Sequence, residues 1–401
     1  MKLWALNVQF RVLSPLFLGG ADQAAELREP SLRGMLRFWF RAVDPDFRLS
    51  ESMVFGGVDD DGDGRQSAVW TRFDPLPQSP KTITWRDIPK DRFTEGSGKM
   101  ARNGLVYLGF PLGMRGNEGR TAIAPGTEFN LRITFALRSD RFTRRHFRGV
   151  LAALWAFGHL GGWGMRSRRG FGSTQLVSWG VVPGRVVPAE HQEWLADLKT
   201  LPLLGAVTSA NEWAGAVGNT LDVFDDWLGG WPNAPDDRHK RWFHPHLGET
   251  FRVKVDGQGF RSWEEALNRG GRLMQDFRVL LQPDYQSVKD HVVYEMRTGG
   301  APLRQTPTRA AFGLPLTFRY SSVPGGRAVM FVPFLQNTPT DRHASPLLLR
   351  IIMIGGRYHA AFIRLVAPMP GTFPAAQVSR THRALAAPSV DVIDTFLNTI
   401  R

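Results

Sequence analysis

The segment that most constrains this chain is Gly158-His-Leu-Gly-Gly-Trp-Gly-Met-Arg-Ser-Arg-Arg-Gly-Phe-Gly-Ser-Thr174. Gly161, Gly162, Gly164, Gly170 and Gly172 permit positive φ and let the backbone approach another surface closely, which residues with side chains resist. Between the two glycine pairs stand Arg166, Arg168 and Arg169, whose forked donors match phosphate oxygens, and free loop N–H groups can point the same way. The bland reading is a glycine-rich turn from helix to strand with solvated arginines. The order Gly162-Trp-Gly164, five residues, Gly170-Phe-Gly172 is tighter than such a turn needs. No Gly-Lys-Ser/Thr follows, and the helix precedes the loop, so neither a Walker A loop nor a dinucleotide fingerprint is present.

Charge points to a polyanionic partner. The chain has 401 residues, with 50 Lys+Arg against 37 Asp+Glu and a formal charge of +13. Seven arginines and no acid lie between Arg141 and Gly172, among them Arg144, Arg145 and Arg148 on a predicted helix. With no cysteine, disulfides, thiolate metal sites and thiol catalysis are excluded, as fits a reducing interior. Residues 1–13 alternate like a strand, without a signal peptide's apolar block. The apolar run Leu347–Ile354 is broken by Arg350 and too short for a bilayer. A cytoplasmic location is expected.

Residues 3–13 predict a strand. Ser31 is the expected N-cap of a helix from Leu32 to Val43, with Leu32, Met35, Leu36, Trp39, Phe40 and Val43 as its apolar stripe. Arg33, Arg37 and Arg41 share another face at four-residue spacing, with no acid at that spacing, and Arg28 precedes them. Solvated faces normally mix signs, so a polyanion is expected on this one. The run Asp59-Asp-Asp-Gly-Asp-Gly64 has the offsets of a calcium loop, but its twelfth position is Trp70 instead of Glu, so it predicts a hairpin tip. Residues 67–73 predict a strand, 75–120 an irregular insertion and 127–137 a further strand. A helix capped by Thr143 then leads into the glycine loop, and residues 173–182 return as a strand.

Strand, helix, two strands, helix, strand is the order of a ferredoxin-like domain, a common RNA platform. The pattern restarts at residues 251–255 with a strand and a helix at about 263–281, and a Gly355-Gly356 hairpin follows. The expected fold class is α+β: two fused ferredoxin-like (RRM-like) domains with insertions. The expected division is residues 1–183 as the first domain with the glycine-rich loop, 184–245 as a helical and irregular connector, and 246–401 as a degenerate second domain.

On these residues the chain resembles the RAMP superfamily of CRISPR proteins, whose hallmark is a glycine-rich loop after the last helix of a ferredoxin-like fold. Within it, the chain is similar to the family of the first-numbered RAMP subunit of the type III-B Cmr interference complex. The carriers are Leu16-Phe-Leu-Gly-Gly20, Arg28 to Arg41, Phe55-Gly-Gly57, Ser167 to Ser173, Ala311-Phe-Gly-Leu-Pro315 and Ser345 to Arg350. The resemblance implies a place where the guide RNA's 3′ portion and the incoming target RNA lie, contact with other Cmr RAMP subunits, and a role in target capture. It also implies that target cleavage and cyclic-oligonucleotide synthesis belong to other subunits. The second half lacks its own Gly-x-Gly-x5-Gly-x-Gly loop.

The expected function is therefore a non-catalytic RNA-binding subunit without cofactor or metal. Arg28, Arg33, Arg37, Arg41, Arg144, Arg145, Arg148, Arg166, Arg168 and Arg169 are its phosphate contacts, and Phe171 is an aromatic that can stack on a base. Trp39 fits the buried stripe and is left out. Two rivals remain: a metal-independent endoribonuclease processing guide precursors, with His159 or His146 activating a 2′-hydroxyl, and a purely architectural cap. His239, His244 and His246 have no acid at ligand spacing, so a zinc site is not expected.

Overall fold

A computed structural model describes residues 2–58, 64–74, 80–98, 101–117, 119–137, 141–231, 244–282, 284–298, 303, 306–323, 328–335, 338–339, 342–367, 373–374, 384–385 and 391–401. His239 and Asp59, Asp61 and Asp63 of the calcium-loop pattern lie outside the described residues.

Seven strands in two antiparallel sheets carry the architecture. Strand β1 (Lys2–Val12) leads to α1 (Glu29–Val43) and α2 (Phe47–Phe55). Strand β2 (Val69–Phe73), the short α3 (Gly104–Gly109) and β3 (Glu128–Leu137) follow, then α4 (Arg144–His159) and β4 (Thr174–Val181). The sheet order is β2-β3-β1-β4 with every pair antiparallel, the arrangement of a split βαβ fold. Period-two alternation fixes which face is covered. Trp4, Leu6, Val8, Phe10 and Val12 of β1 and Phe129, Leu131, Ile133 and Phe135 of β3 are buried, on the side where α1 and α4 pack. Trp4 stacks on Phe135 at 4.6 Å between ring centroids.

Helix α1 begins at Glu29, with Arg28 in the N-cap position and Pro30 in the first turn, where a missing N–H is harmless. Ser31 therefore lies inside the helix and does not cap it. Its hydroxyl instead accepts the Trp163 indole N–H of the glycine-rich segment at 2.8 Å. At α4 the expected cap is present, with Thr143 and the His146 side chain forming a reciprocal capping box.

Residues 184–245 do more than connect. Helices α5 (Leu195–Thr200) and α6 (Ala210–Leu228) brace the first unit, and Trp213, Val217 and Phe224 are buried in its core.

The second unit runs β5 (Arg252–Val255), α7 (Trp263–Leu280), α8 (Asp284–Thr298), β6 (Leu347–Ile354), β7 (Arg357–Arg364) and α9 (Asp391–Asn398). Gly355 and Gly356, with φ of 55° and 77°, make the two-residue turn between β6 and β7, as a primed hairpin turn requires. The sheet order is β6-β7-β5, which repeats the β2-β3-β1 part of the first sheet. Among the described residues the copy has three strands. Its core joins Phe362, Phe277 and Phe396 to Phe171 and Phe17 of the first unit, so the two halves share an apolar interior.

Candidate nucleic-acid interface

The glycine-rich segment is fixed on both sides. From the first unit, Ser14 Oγ donates to the Gly170 carbonyl at 2.6 Å, and the Gly172 N–H donates to the Pro15 carbonyl at 2.9 Å. The Met165 N–H donates to the Phe17 carbonyl at 2.8 Å. Gly172 has φ of 63°, and a Cβ there would collide with the Trp163 carbonyl oxygen, so a side chain is excluded by conformation and by space. From the second unit, the Leu349 N–H donates to the Arg168 carbonyl at 3.1 Å and the Ile351 N–H to Ser173 Oγ at 3.0 Å.

The tightest hold comes from Arg350 on β6. It is 2% exposed, and its guanidinium donates to the carbonyls of Gly158, Gly161 and Thr174, the first at 2.6 Å. These carbonyls lie at the C-terminal end of α4 and the start of β4, where unsatisfied helix-end oxygens and the negative end of the helix dipole favour a cation. Burial lowers the Arg350 pKa to about 9.

The α1 arginines are arranged differently from the expectation of an unpartnered row. Glu51 of α2 stands between Arg37 and Arg41. It accepts from Arg37 Nε at 2.5 Å and from Arg41 Nε and Nη2 at 2.7 and 2.8 Å. Burial pushes its carboxyl up, but the hydrogen bonds and charges of Arg41 and Arg37 outweigh this and hold it below the usual carboxylate range. The acid sits in the next helix, beyond the reach of an i,i+4 reading. Arg33 donates to the Phe55 carbonyl. Burial, with the Arg37 charge second, lowers the Arg33 pKa. Arg28 is exposed, 3.9 Å from Glu26. Arg33, Arg37 and Arg41 thus face a single carboxylate, leaving two positive charges on this face. Arg37 and Arg41 are 34% and 38% exposed.

Arg168 reaches the same helix. Its guanidinium lies 5.6 Å from the centre of the Phe38 ring while donating to the Ser345 carbonyl. Phe38 in turn lies 4.8 Å from His244, His244 lies 6.0 Å from Phe47, and the Arg41 guanidinium lies 5.9 Å from the centre of the Phe47 ring. Arg168, Phe38, His244 and Arg41 therefore form a continuous row along α1, and the two cationic segments meet there.

The residues matching a family model of the RAMP superfamily are 9–175, from β1 through the glycine-rich segment. That part of the chain is similar to the RAMP superfamily. It is similar to two Cmr subunits of Pyrococcus furiosus. It is 27% identical to Cmr1-1 over 250 residues, 60% of this chain and 62% of that one. It is 26% identical to Cmr1-2 over 184 residues, 41% of this chain and 90% of that one. The match thus spans less than two thirds of the Cmr1-1 length. In fold it resembles the crystal structure of Cmr1 from Pyrococcus furiosus (apo form), with TM-score 0.56, 21% identity, and 98% and 96% of the two chains covered. It also resembles a chain of the cryo-EM structure of the type III-B Cmr-beta bound to cognate target RNA, with TM-score 0.50, 13% identity, and 100% and 99% covered.

Within the first unit several predicted contacts have other partners. Arg144 and Arg148 both bind Asp197 of α5, at 2.8 and 3.1 Å, and burial of Asp197 is outweighed by their hydrogen bonds and charges, which lower its pKa. Arg145 pairs with Asp44 at 2.7 Å and Asp46 at 3.2 Å. The helical part of the acid-free run thus meets acids from other elements, and these three arginines brace the unit. Arg166 donates twice to the Leu108 carbonyl, at 2.8 and 2.5 Å, and Arg169 contacts the Phe312 carbonyl at 3.4 Å. Phe171 is fully buried, edge-on to Phe17 and Trp85, so it cannot stack on a base. Trp39 is buried, as its place in the stripe implied.

His159 is 2% exposed, and burial together with the neighbouring Arg350 charge pushes its pKa well below the ordinary value. A general base needs reach to a substrate proton, which this position lacks. His146 is engaged in its capping box. Among the described residues no His/Asp/Glu cluster could hold a metal ion, and no helix is long and apolar enough to cross a membrane.

Sequence reasoning missed Glu51, Phe38 and Arg350 as parts of this arrangement. Arg350 left one usable signal: a lone arginine inside the apolar run Leu347–Ile354, which a buried strand tolerates only if the charge meets acceptors.

Proposed function

We propose that this chain is a non-catalytic RNA-binding RAMP subunit of a type III-B CRISPR effector complex. It caps the region of the guide RNA's 3′ end and helps capture single-stranded target RNA, alongside other Cmr RAMP subunits, in antiviral defence in the cytoplasm. In this reading residues 1–183 supply the RNA-holding unit, 184–245 brace it, and 246–401 clamp its loop. The Cmr names of the matched relatives support the complex.

One observation carries the RNA contact. Arg37 and Arg41 share a single carboxylate on one face of α1, and Arg168 reaches the same helix across Phe38. Arg28 extends the row at the helix start. An RNA backbone laid along α1 supplies the missing negative charge, with no base preference of its own, because phosphate contacts position without reading sequence.

The test is anisotropy of a labelled single-stranded RNA between about 50 and 300 mM KCl. Arg37→Gln and Arg41→Gln are combined with Glu51→Gln, so that no carboxylate is stranded. The plot of log affinity against log salt should lose about 0.7 of its slope, one phosphate contact, because the triple change removes two cations and one anion. An unchanged slope would remove this face from the interface. RNA recovered uncut with and without EDTA fits the non-catalytic reading, and metal-independent cutting would replace it with the endoribonuclease.

A further inference from the structure

A second basic feature adjoins the glycine-rich segment. Between α3, the turn Phe110–Gly113, the glycine-rich segment and α7 is a cleft of about 640 Å³, a size suited to one small ligand. Its walls carry Arg166, Arg169 and Arg278 but no carboxylate, and among the described residues none of the three forms an ion pair. Tyr107 accepts from Arg278 Nη1 at 2.7 Å, and Phe110 stands at the cleft with 64% of its surface exposed.

Two features make this cleft unlike an ordinary solvated patch. The cations are crowded together: burial, then the Arg169 charge, lowers the Arg166 pKa to about 10, and the Arg278 charge bears on Arg169. Like charges held together without an acid destabilise the empty site, and an anion relieves them. An aromatic ring also stands exposed at the cleft, with an apolar surface open to a ligand. An anion and a flat apolar group side by side are the two halves of a nucleotide.

The wall is also rigid. Gly104 of α3 packs directly on Gly271 of α7, with no room for a Cβ on either. Asn268 Oδ1 accepts the Gly104 and Leu105 N–H groups at 2.9 and 3.2 Å. Arg166, a non-glycine residue with φ of 64°, is held in place by the Leu108 carbonyl on that same helix. The guanidinium groups are preorganised, which lowers the ordering cost of binding.

We propose that this cleft holds a single nucleotide, its phosphate against Arg166, Arg169 and Arg278 and its base on the Phe110 ring. The inference rests on the RNA reading only for choosing a nucleotide over other aromatic anions. A free nucleotide and one unit of an RNA strand, splayed out of its stack, share this chemistry.

The test is calorimetry on the full chain with AMP, adenosine and inorganic phosphate as probes. AMP should bind, and adenosine should bind about tenfold or more weakly, because hydrogen bonds to charged groups are lost. Phe110→Ala should weaken AMP by about tenfold and leave inorganic phosphate unchanged, since stacking alone is removed. Arg278→Gln should weaken both. A trinucleotide that displaces AMP assigns the cleft to a strand, and one that does not assigns it to the free nucleotide. No AMP binding up to about 10 mM, a concentration weaker than any specific site warrants, overturns the proposal, as does AMP affinity indifferent to both substitutions. Anisotropy of a longer RNA on the same samples separates the two ideas: the α1-dependent salt slope reports the proposed function whatever AMP does.

Discussion

Replacing Arg350 by Met tests whether a buried cation from the second unit holds the glycine-rich loop together. The substitution fills much of the volume with a flexible apolar chain and removes every donor. Two effects oppose each other. Burial lowers the pKa to about 9, which corresponds to about 5 kcal/mol set against the charged form, and the variant escapes it. Against that, the carbonyls of Gly158, Gly161 and Thr174 lose a charged donor, at about 1.5–3 kcal/mol each, or about 7 kcal/mol together. The donors win by about 2 kcal/mol, so Arg350→Met should be less stable by that amount in urea titrations followed by tryptophan fluorescence. Hydrogen exchange should rise at Gly161–Thr174 before it rises in β1. A variant as stable as the wild type at pH 7 would refute the claim that these donors outweigh desolvation.

Three further outcomes follow from single positions. Phe171→Ala should destabilise by about 3–5 kcal/mol in the same titration yet leave the salt slope of RNA binding unchanged, because the ring is fully enclosed. Gly172→Ala should abolish soluble folded protein or destabilise by more than about 3 kcal/mol, since φ is 63° and the Cβ meets backbone. Gly180→Ala, with open space around it, should stay within about 1 kcal/mol as the control. His244 has its pKa pushed down to about 4, mainly by burial, with the Arg41 and His246 charges adding to it and its bond to the Phe38 carbonyl opposing it. The unfolded chain takes up this proton near pH 6.5, so stability should fall by about 3 kcal/mol as pH drops from about 6.5 to 4. His244→Gln should flatten that part of the profile, and an unaltered profile would mean that His244 is not buried neutral.

The glycine-rich loop, its helix and the alternating strands were legible in the sequence because their signals are local. Glycine spacing reports backbone conformation, period two reports a sheet face, and the Leu32–Val43 stripe reports a buried helix side. The order of elements then led to the fold, since few topologies accommodate it. Charge was not legible in the same way. Sequence shows how many arginines a segment carries, but an ion pair forms through space. The acids answering Arg37, Arg41, Arg144, Arg145 and Arg148 are Glu51, Asp197 and Asp44, which come from α2, α5 and the end of α1.

By itself, then, the sequence determined the backbone of this protein: two strand-and-helix units and a loop that only glycine can form. Tertiary structure alone decided which cations are available to a ligand. Burial of Phe171 and the diversion of Arg168 and Arg350 onto backbone carbonyls arise from packing the second unit against the first. The physical reason is that conformation is set by neighbours along the chain, whereas solvation and pairing are set by neighbours in space.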